Sequence, residues 1–177
     1  MNPTPRDPMR ILIDEQAIQR RVRELGQEIR ATYGDEPVTA IGVLKGSFMF
    51  MADLVRAIDG EVRCDFLGVS SYQGGTRSTG VVRITQDLKH PIEGQHCLVI
   101  EDIIDTGLTI EYLLKMLEVR QPRSLRVAAL LDKPSNRETK VTADFVGFTI
   151  PDEFVVGYGL DLGELYRNLP HIAVYTP

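Results

Sequence analysis

A largely apolar run that ends in a polar turn and leads into an amphipathic helix occurs twice in this chain. Nothing else in the sequence restricts the fold so strongly. Residues 38–44 form the first run and read as a buried strand; the helix after it puts Met51, Leu54, Val55 and Ile58 on one face. Residues 98–100 begin the second unit, whose helix carries Ile110, Leu113, Leu114 and Leu117 at i, i+3, i+4 and i+7. Residues 125–131 supply a further core strand. Apolar strands alternating with such helices imply parallel strands joined by right-handed crossovers. The expected class is therefore α/β, with the ligand site at the carboxyl ends of the strands.

Upstream, Asp14 suits the cap of a first helix with Ile18, Val22, Leu25 and Ile29 on one face, and Gly34 and Pro37 end it. The middle of the chain breaks the rhythm. Residues 62–69 and 81–84 look like two strands joined by a long polar loop, 70–80, which suggests an antiparallel excursion from the main sheet. Short strands near 145–148, 154–156 and 172–175 are expected to form a small accessory lobe with the N-terminal helix. A length of 177 residues at 43% apolar composition suits one domain, 1–177, with a sizeable core. Residues 1–9, with three prolines, are expected to be a loosely ordered tail.

The formal charge of −5 leaves no general positive field for nucleic acid or an anionic membrane, so any phosphate site must be built locally. Cys64 and Cys97 form no CxxC pair and read as reduced thiols of a cytoplasmic protein; no segment is long and apolar enough to span a bilayer. His90, His96 and His171 have no His or Cys partner at ligand spacing, which makes a zinc site improbable.

The chemistry is concentrated in LVIEDIIDTGLTI, residues 98–110, where an apolar strand runs into two adjacent carboxylates, then Asp105, a Thr-Gly turn and a helix start. The N–H groups of Thr106, Gly107, Leu108 and Thr109 would face a phosphate from an incipient helix, and Gly107 permits close approach. The Thr106 and Thr109 hydroxyls add donors. Glu101 and Asp102 can accept hydrogen bonds from vicinal ribose hydroxyls and help hold a divalent cation. A plainer reading, an acidic strand end followed by a helix cap, explains the cap but not three carboxylates.

VIEDIIDTGLT resembles the ribose-phosphate-binding signature of the type I phosphoribosyltransferases, and other segments resemble their hypoxanthine-guanine branch in order from about 38 to 175. The resemblance implies a twisted, mainly parallel sheet flanked by helices, with a small hood from about 10–35 and 145–177. It implies transfer of ribose 5-phosphate from phosphoribosyl pyrophosphate to hypoxanthine or guanine, giving IMP or GMP and pyrophosphate, with Mg2+ as cofactor. A homodimer or homotetramer is the family expectation. Asp105 would act on purine N7 as general acid/base.

LKGSFMF, 44–50, resembles the family's pyrophosphate loop. Lys45 offers a charge, and the N–H groups of Gly46 and Ser47 lie near a helix start; by itself such a turn is usually only a turn. The resemblance adds a cis peptide between Leu44 and Lys45, and Arg167 as a second pyrophosphate ligand. SSYQGGTRSTG, 70–80, resembles the mobile catalytic loop, in which Ser71 and Tyr72 would close over the reacting centre; a solvated hairpin loop is the alternative. LLDKPSN and DFVGFTIPDEFVVGYGLDLGELYRNL resemble the base-binding end. There Lys133 would donate to the purine 6-oxo group, Phe154 would stack on the ring, Val155 would read the base edge through its backbone, and Asp161 would help hold a second magnesium ion. Separately these are ordinary solvated charges, a core aromatic and a turn residue; their joint order favours the site.

Leu108 stands where some members of the family have lysine, so the 5-phosphate would be bound mainly by amides and hydroxyls. Arg120, Arg123 and Arg126 read as a solvated edge or a subunit contact. Two rival functions stay open on sequence: a xanthine-preferring transferase, and an RNA-binding nucleotide sensor on the same fold, which would want a basic stripe that this acidic chain does not suggest.

Overall fold

A strand buried on both faces has to be covered by helices on both sides, and β2 (Val38–Leu44) is buried along all but its last residue. The computed structural model describes residues 9–71 and 82–176. Around β2 it builds a six-stranded sheet in the order β4-β3-β2-β5-β6-β7, from β3 (Val62–Ser71), β4 (Val82–Gln86), β5 (His96–Ile104), β6 (Ser124–Asp132) and β7 (Phe145–Thr149). All neighbours are parallel except β3 and β4, which pair antiparallel as the broken rhythm suggested. From β2 the chain steps outward to β3 on one side and later builds β5, β6 and β7 on the other. The sheet therefore reverses its winding between β2 and β5, and the loops leaving their carboxyl ends diverge there into a crevice.

Helix α1 (Glu15–Tyr33) starts where expected: the Asp14 carboxylate accepts the Ala17 N–H at 2.7 Å, and Gly34, at φ 59°, returns its N–H to Arg30. Its predicted stripe, Ile18, Val22, Leu25 and Ile29, is buried. Helix α2 (Phe48–Ala57) lies on the same face of the sheet and crosses α1 closely: a Cβ on Gly26 would lie 2.3 Å from the Ala57 carbonyl oxygen. Helix α3 (Leu108–Glu118) covers the opposite face, where Ile110, Leu113 and Leu117 join a second core cluster with Val99 and Val127.

The accessory lobe differs from expectation. It is a three-stranded sheet, β1-β9-β8, made of β1 (Arg10–Ile13), β8 (Val155–Val156) and β9 (Ile172–Val174). The 145–148 run instead extends the main sheet as β7, because its backbone pairs parallel with β6 from Ala128 to Asp132. Helix α1 belongs with the main sheet too, packed on α2 and β7. The hood is tied down by Tyr158, whose hydroxyl donates to Asp53 on α2, while the same carboxylate accepts from Gln19 on α1 at 3.0 Å. Most of the expected tail, residues 1–8, and Tyr72 lie outside the described residues. Among the described residues no helix is long and apolar enough to cross a membrane.

Candidate active site

Two loops meet at the reversal point of the sheet. The first leaves β2 through a cis Leu44–Lys45 peptide, as the family resemblance implies, and runs through Gly46 and Ser47 into α2. The second leaves β5 through Asp105, Thr106 and Gly107 into α3, with Gly107 at φ 85°, a conformation that side chains disfavour. A cleft of about 520 Å³ between them is lined by Lys45, Gly46, Glu101, Asp102, Asp161 and Arg167. A smaller cavity of about 90 Å³, lined by Asp105, Thr106 and Gly107, shares Glu101, Ile103 and Thr109 with the first. The residues expected at the pyrophosphate and ribose-phosphate ends thus line two adjoining cavities that share part of their walls.

Glycines allow these parts to approach. A Cβ on Gly46 would stand 1.6 Å from an Asp102 carboxylate oxygen, and one on Gly159, at φ 103°, would stand 2.1 Å from the Gly46 carbonyl oxygen. The hood turn is therefore in backbone contact with the first loop, and the Asp102 side chain of the acidic strand end packs on that loop at Gly46. Gly159 carries this packing and was not singled out from the sequence, where glycine in a polar turn gives no sign of what it faces.

The acidic pair is held in an unusual electrostatic state. Burial pushes the Glu101 carboxyl well above its ordinary range, helped by the negative charge of Asp102, and its Oε2 has no hydrogen-bond partner. Burial also pushes the Asp102 carboxyl up to about 6, against the opposing pull of the Ile103 N–H, which donates to it at 2.8 Å. Asp105 likewise buries an oxygen, Oδ1, and neither it nor Glu101 Oε2 has a partner among the described residues. Buried carboxyl oxygens without donors suit hydroxyl groups or a hard cation. Among the described residues no three acidic, His or Cys side chains gather into a preformed cation cage, so a cation here would need further oxygens from a bound ligand.

Lys45 and Arg167 converge on the far side of the cleft. Glu164 Oε2 lies 3.1 Å from Lys45 Nζ and 3.4 Å from Arg167 Nη2, and Arg167 also meets Asp161 at 2.9 Å. The hydrogen bond from Lys45 holds the Glu164 carboxyl below its ordinary range. Glu164, given no role within the 144–169 string, thus occupies both cations.

At the other end, Lys133 is buried although charged; its ammonium lies 3.7 Å from Asp152, which also accepts from Asn136 at 2.7 Å. The Lys133 N–H donates to Ile104 O at 3.0 Å, which joins the end of β6 to the phosphate turn. Phe154 is 52% exposed, an idle aromatic face beside this lysine loop's partner Asp152, with Tyr175 edge-on at 6.3 Å. Val155 lies on β8, an edge strand of the hood sheet, so part of its backbone is available to a ligand. Leu108 opens α3, and its N–H reaches the Thr106 hydroxyl at 3.4 Å. Ser71 closes β3, while Ser70 and Val82 line the large cleft.

Residues 10–162 match the family model described as a phosphoribosyl transferase domain. A hypoxanthine-guanine phosphoribosyltransferase of Bacillus subtilis is 52% identical over 171 residues, 97% of this chain and 95% of that protein. Among solved structures, a hypoxanthine phosphoribosyltransferase from Staphylococcus aureus superposes with a TM-score of 0.91 at 48% identity, covering 94% of this chain and 91% of the other. A hypoxanthine-guanine phosphoribosyltransferase from Bacillus anthracis gives 0.90 at 46% identity, covering 94% and 98%.

Proposed function

The chain belongs to the phosphoribosyl transferase family, and on that premise we propose how its residues perform the reaction of a purine-salvage enzyme, a hypoxanthine-guanine phosphoribosyltransferase. It transfers ribose 5-phosphate from phosphoribosyl pyrophosphate to hypoxanthine or guanine. Relatives named for this activity at about half identity favour it over the xanthine-preferring and RNA-binding alternatives. The observation that carries the reading is the depression of two adjoining cavities at the sheet reversal, with an amide-rich turn at one end, a Lys-Arg pair at the other and buried carboxyls between.

The 5-phosphate sits against the N–H groups and hydroxyls of 106–109, where the start of α3 favours an anion. Glu101 and Asp102 accept from the ribose hydroxyls. This supplies the unpartnered Oε2 of Glu101 with a donor. Lys45, the Gly46 amide and Arg167 receive the pyrophosphate, displacing Glu164. Lys133 donates to the 6-oxo group, Phe154 covers the ring, and the free edge of Val155 reads the base. Asp105 takes or returns the N7 proton as the purine nitrogen bonds to C1 and the pyrophosphate oxygen departs. The protein mainly positions reactants and stabilises charge.

The Glu101–Asp102 pair would help hold one Mg2+ and Asp161 a second, and the ions would supply neutralisation of the leaving pyrophosphate. Assembly into a homodimer or homotetramer belongs to the same proposal. The test is a steady-state assay with phosphoribosyl pyrophosphate and each of hypoxanthine, guanine, xanthine and adenine. IMP and GMP formation that stops on chelation and returns with magnesium is expected. Xanthine as the best base, or full turnover without a divalent cation, would overturn the assignment.

A further inference from the structure

Three consecutive carbonyls of the phosphate turn are all taken by the segment that follows β6. Ile104 O accepts from the Lys133 N–H at 3.0 Å and from Arg137 Nη2 at 3.4 Å; Asp105 O accepts from Arg137 Nε at 3.1 Å; Thr106 O accepts from the Glu138 N–H at 2.9 Å. The guanidinium of Arg137 donates also to Val141 O and to the Asp132 carboxylate, and its side chain is only 13% exposed. Gly107 lies directly against it, since a Cβ there would be 2.9 Å from Arg137 Cδ. On the opposite side of the same peptides, the N–H groups of Thr106 and Gly107 have no acceptor among the described residues.

We propose that Arg137 is the positioning residue that makes the phosphate turn and the purine-reading Lys133 a single rigid unit. A planar fork with donors at fixed angles locks the carbonyls of Ile104 and Asp105, which fixes the tilt of the following peptides and leaves their N–H groups free for the phosphate. Positive charge on the oxygen side of those peptides also strengthens the polarisation of their N–H bonds toward the ligand. Through Asp132 the same guanidinium holds the residue preceding Lys133, and through Ile104 O it shares an acceptor with the Lys133 N–H. A shift of the turn is then a shift of the lysine that selects the base. This deepens, and rests on, the reading of 105–109 as a phosphate site.

A purely structural arginine is present for comparison. Arg21 on α1 is also mostly buried and donates to the β7 carbonyls of Gly147 and Val146, away from the depression. The experiment compares R137K, D132N and R21K with the unaltered protein in three measurements: the Kd of ribose 5-phosphate by calorimetry, the ratio of kcat/KM for hypoxanthine to that for adenine, and the thermal midpoint. Losing charge-assisted hydrogen bonds should weaken ribose 5-phosphate by about tenfold or more in R137K and lower the base ratio with it. D132N, which leaves the arginine in place, should move both in the same direction, and R137K/D132N should fall no further than R137K alone. R21K should lower the midpoint and leave both ligand measurements unchanged. Ribose 5-phosphate affinity or a base ratio in folded R137K equal to the unaltered protein's would overturn the proposal, as would a D132N that behaves like R21K. Failure of the unaltered protein to bind ribose 5-phosphate would remove the transferase reading and this one together.

Discussion

Replacing Lys133 by Gln should reduce the efficiency with hypoxanthine far more than it reduces stability. The side chain is 8% exposed, so its ammonium would meet the base in a site largely stripped of water. A hydrogen bond to a charged donor is worth about 1.5 to 3 kcal/mol in such a setting, or roughly ten- to 150-fold in kcat/KM for a 6-oxo purine. The partner left behind, Asp152, has a side chain that is 61% exposed and keeps the Asn136 amide, so little cost arises from an unpaired carboxylate. Adenine presents a 6-amino donor to a donor in the native site, whereas the Gln amide can turn its oxygen toward it. The ratio of kcat/KM for hypoxanthine to that for adenine should therefore fall by at least tenfold in K133Q, read from initial rates with both bases. An unchanged ratio would refute the role of Lys133 and move base selection to the Val155 edge. A ratio that falls only because the protein unfolds would be exposed by a lowered thermal midpoint.

D105N should fold normally and lose roughly 10²- to 10⁴-fold in turnover with a smaller effect on phosphoribosyl pyrophosphate binding, measured by single-turnover kinetics. Gly159→Ala should raise the KM for phosphoribosyl pyrophosphate and lower stability by about 2 kcal/mol or more, because it adds a Cβ at φ 103° against the Gly46 carbonyl; a denaturant midpoint equal to the native one would contradict the contact. Tyr33 is buried, and burial pushes its hydroxyl from 10.0 up to about 12, so the unfolded chain ionises first and stability must be lost as pH rises through 10 toward 12. Relative to Y33F, the native protein should lose about 1.4 kcal/mol between pH 9 and 11, seen in urea unfolding; parallel curves would show the hydroxyl to be solvated.

The main sheet was legible because β2, β5 and β6 carry the long apolar runs that only a doubly covered sheet can bury, and because α1, α2 and α3 show apolar stripes at helical spacing. A stripe says which face is buried and not against what, which is why α1 was assigned to the hood although Gly26 lets it pack on α2. FVGFT in β7 suits either sheet, and its place is set by pairing with β6, a long-range choice with no local signature. RILI, β1, is too short to stand out beside three prolines. In the site, Lys45, Asp105 and Lys133 sit inside strings whose order carries information. Arg137 lies outside those strings, and Asp152, Gly159 and Glu164 lie inside one without a role of their own, because all four act by contacts with residues far away along the chain that their types do not announce.

The phosphate turn presents neutral dipoles where some relatives carry a lysine, since Leu108 opens α3. Its grip on an anion would come from fixed N–H groups and not from mobile charge. The opposite end would rely in part on Lys45, whose side chain is 67% exposed. Raising ionic strength from 0.1 to 1 M shortens the screening distance from about 10 to about 3 Å, which erodes the exposed lysine's attraction and hardly touches short dipolar contacts. In brine the enzyme would loosen its hold on the leaving group while keeping its hold on the sugar phosphate, so the two ends of one substrate obey different solvents.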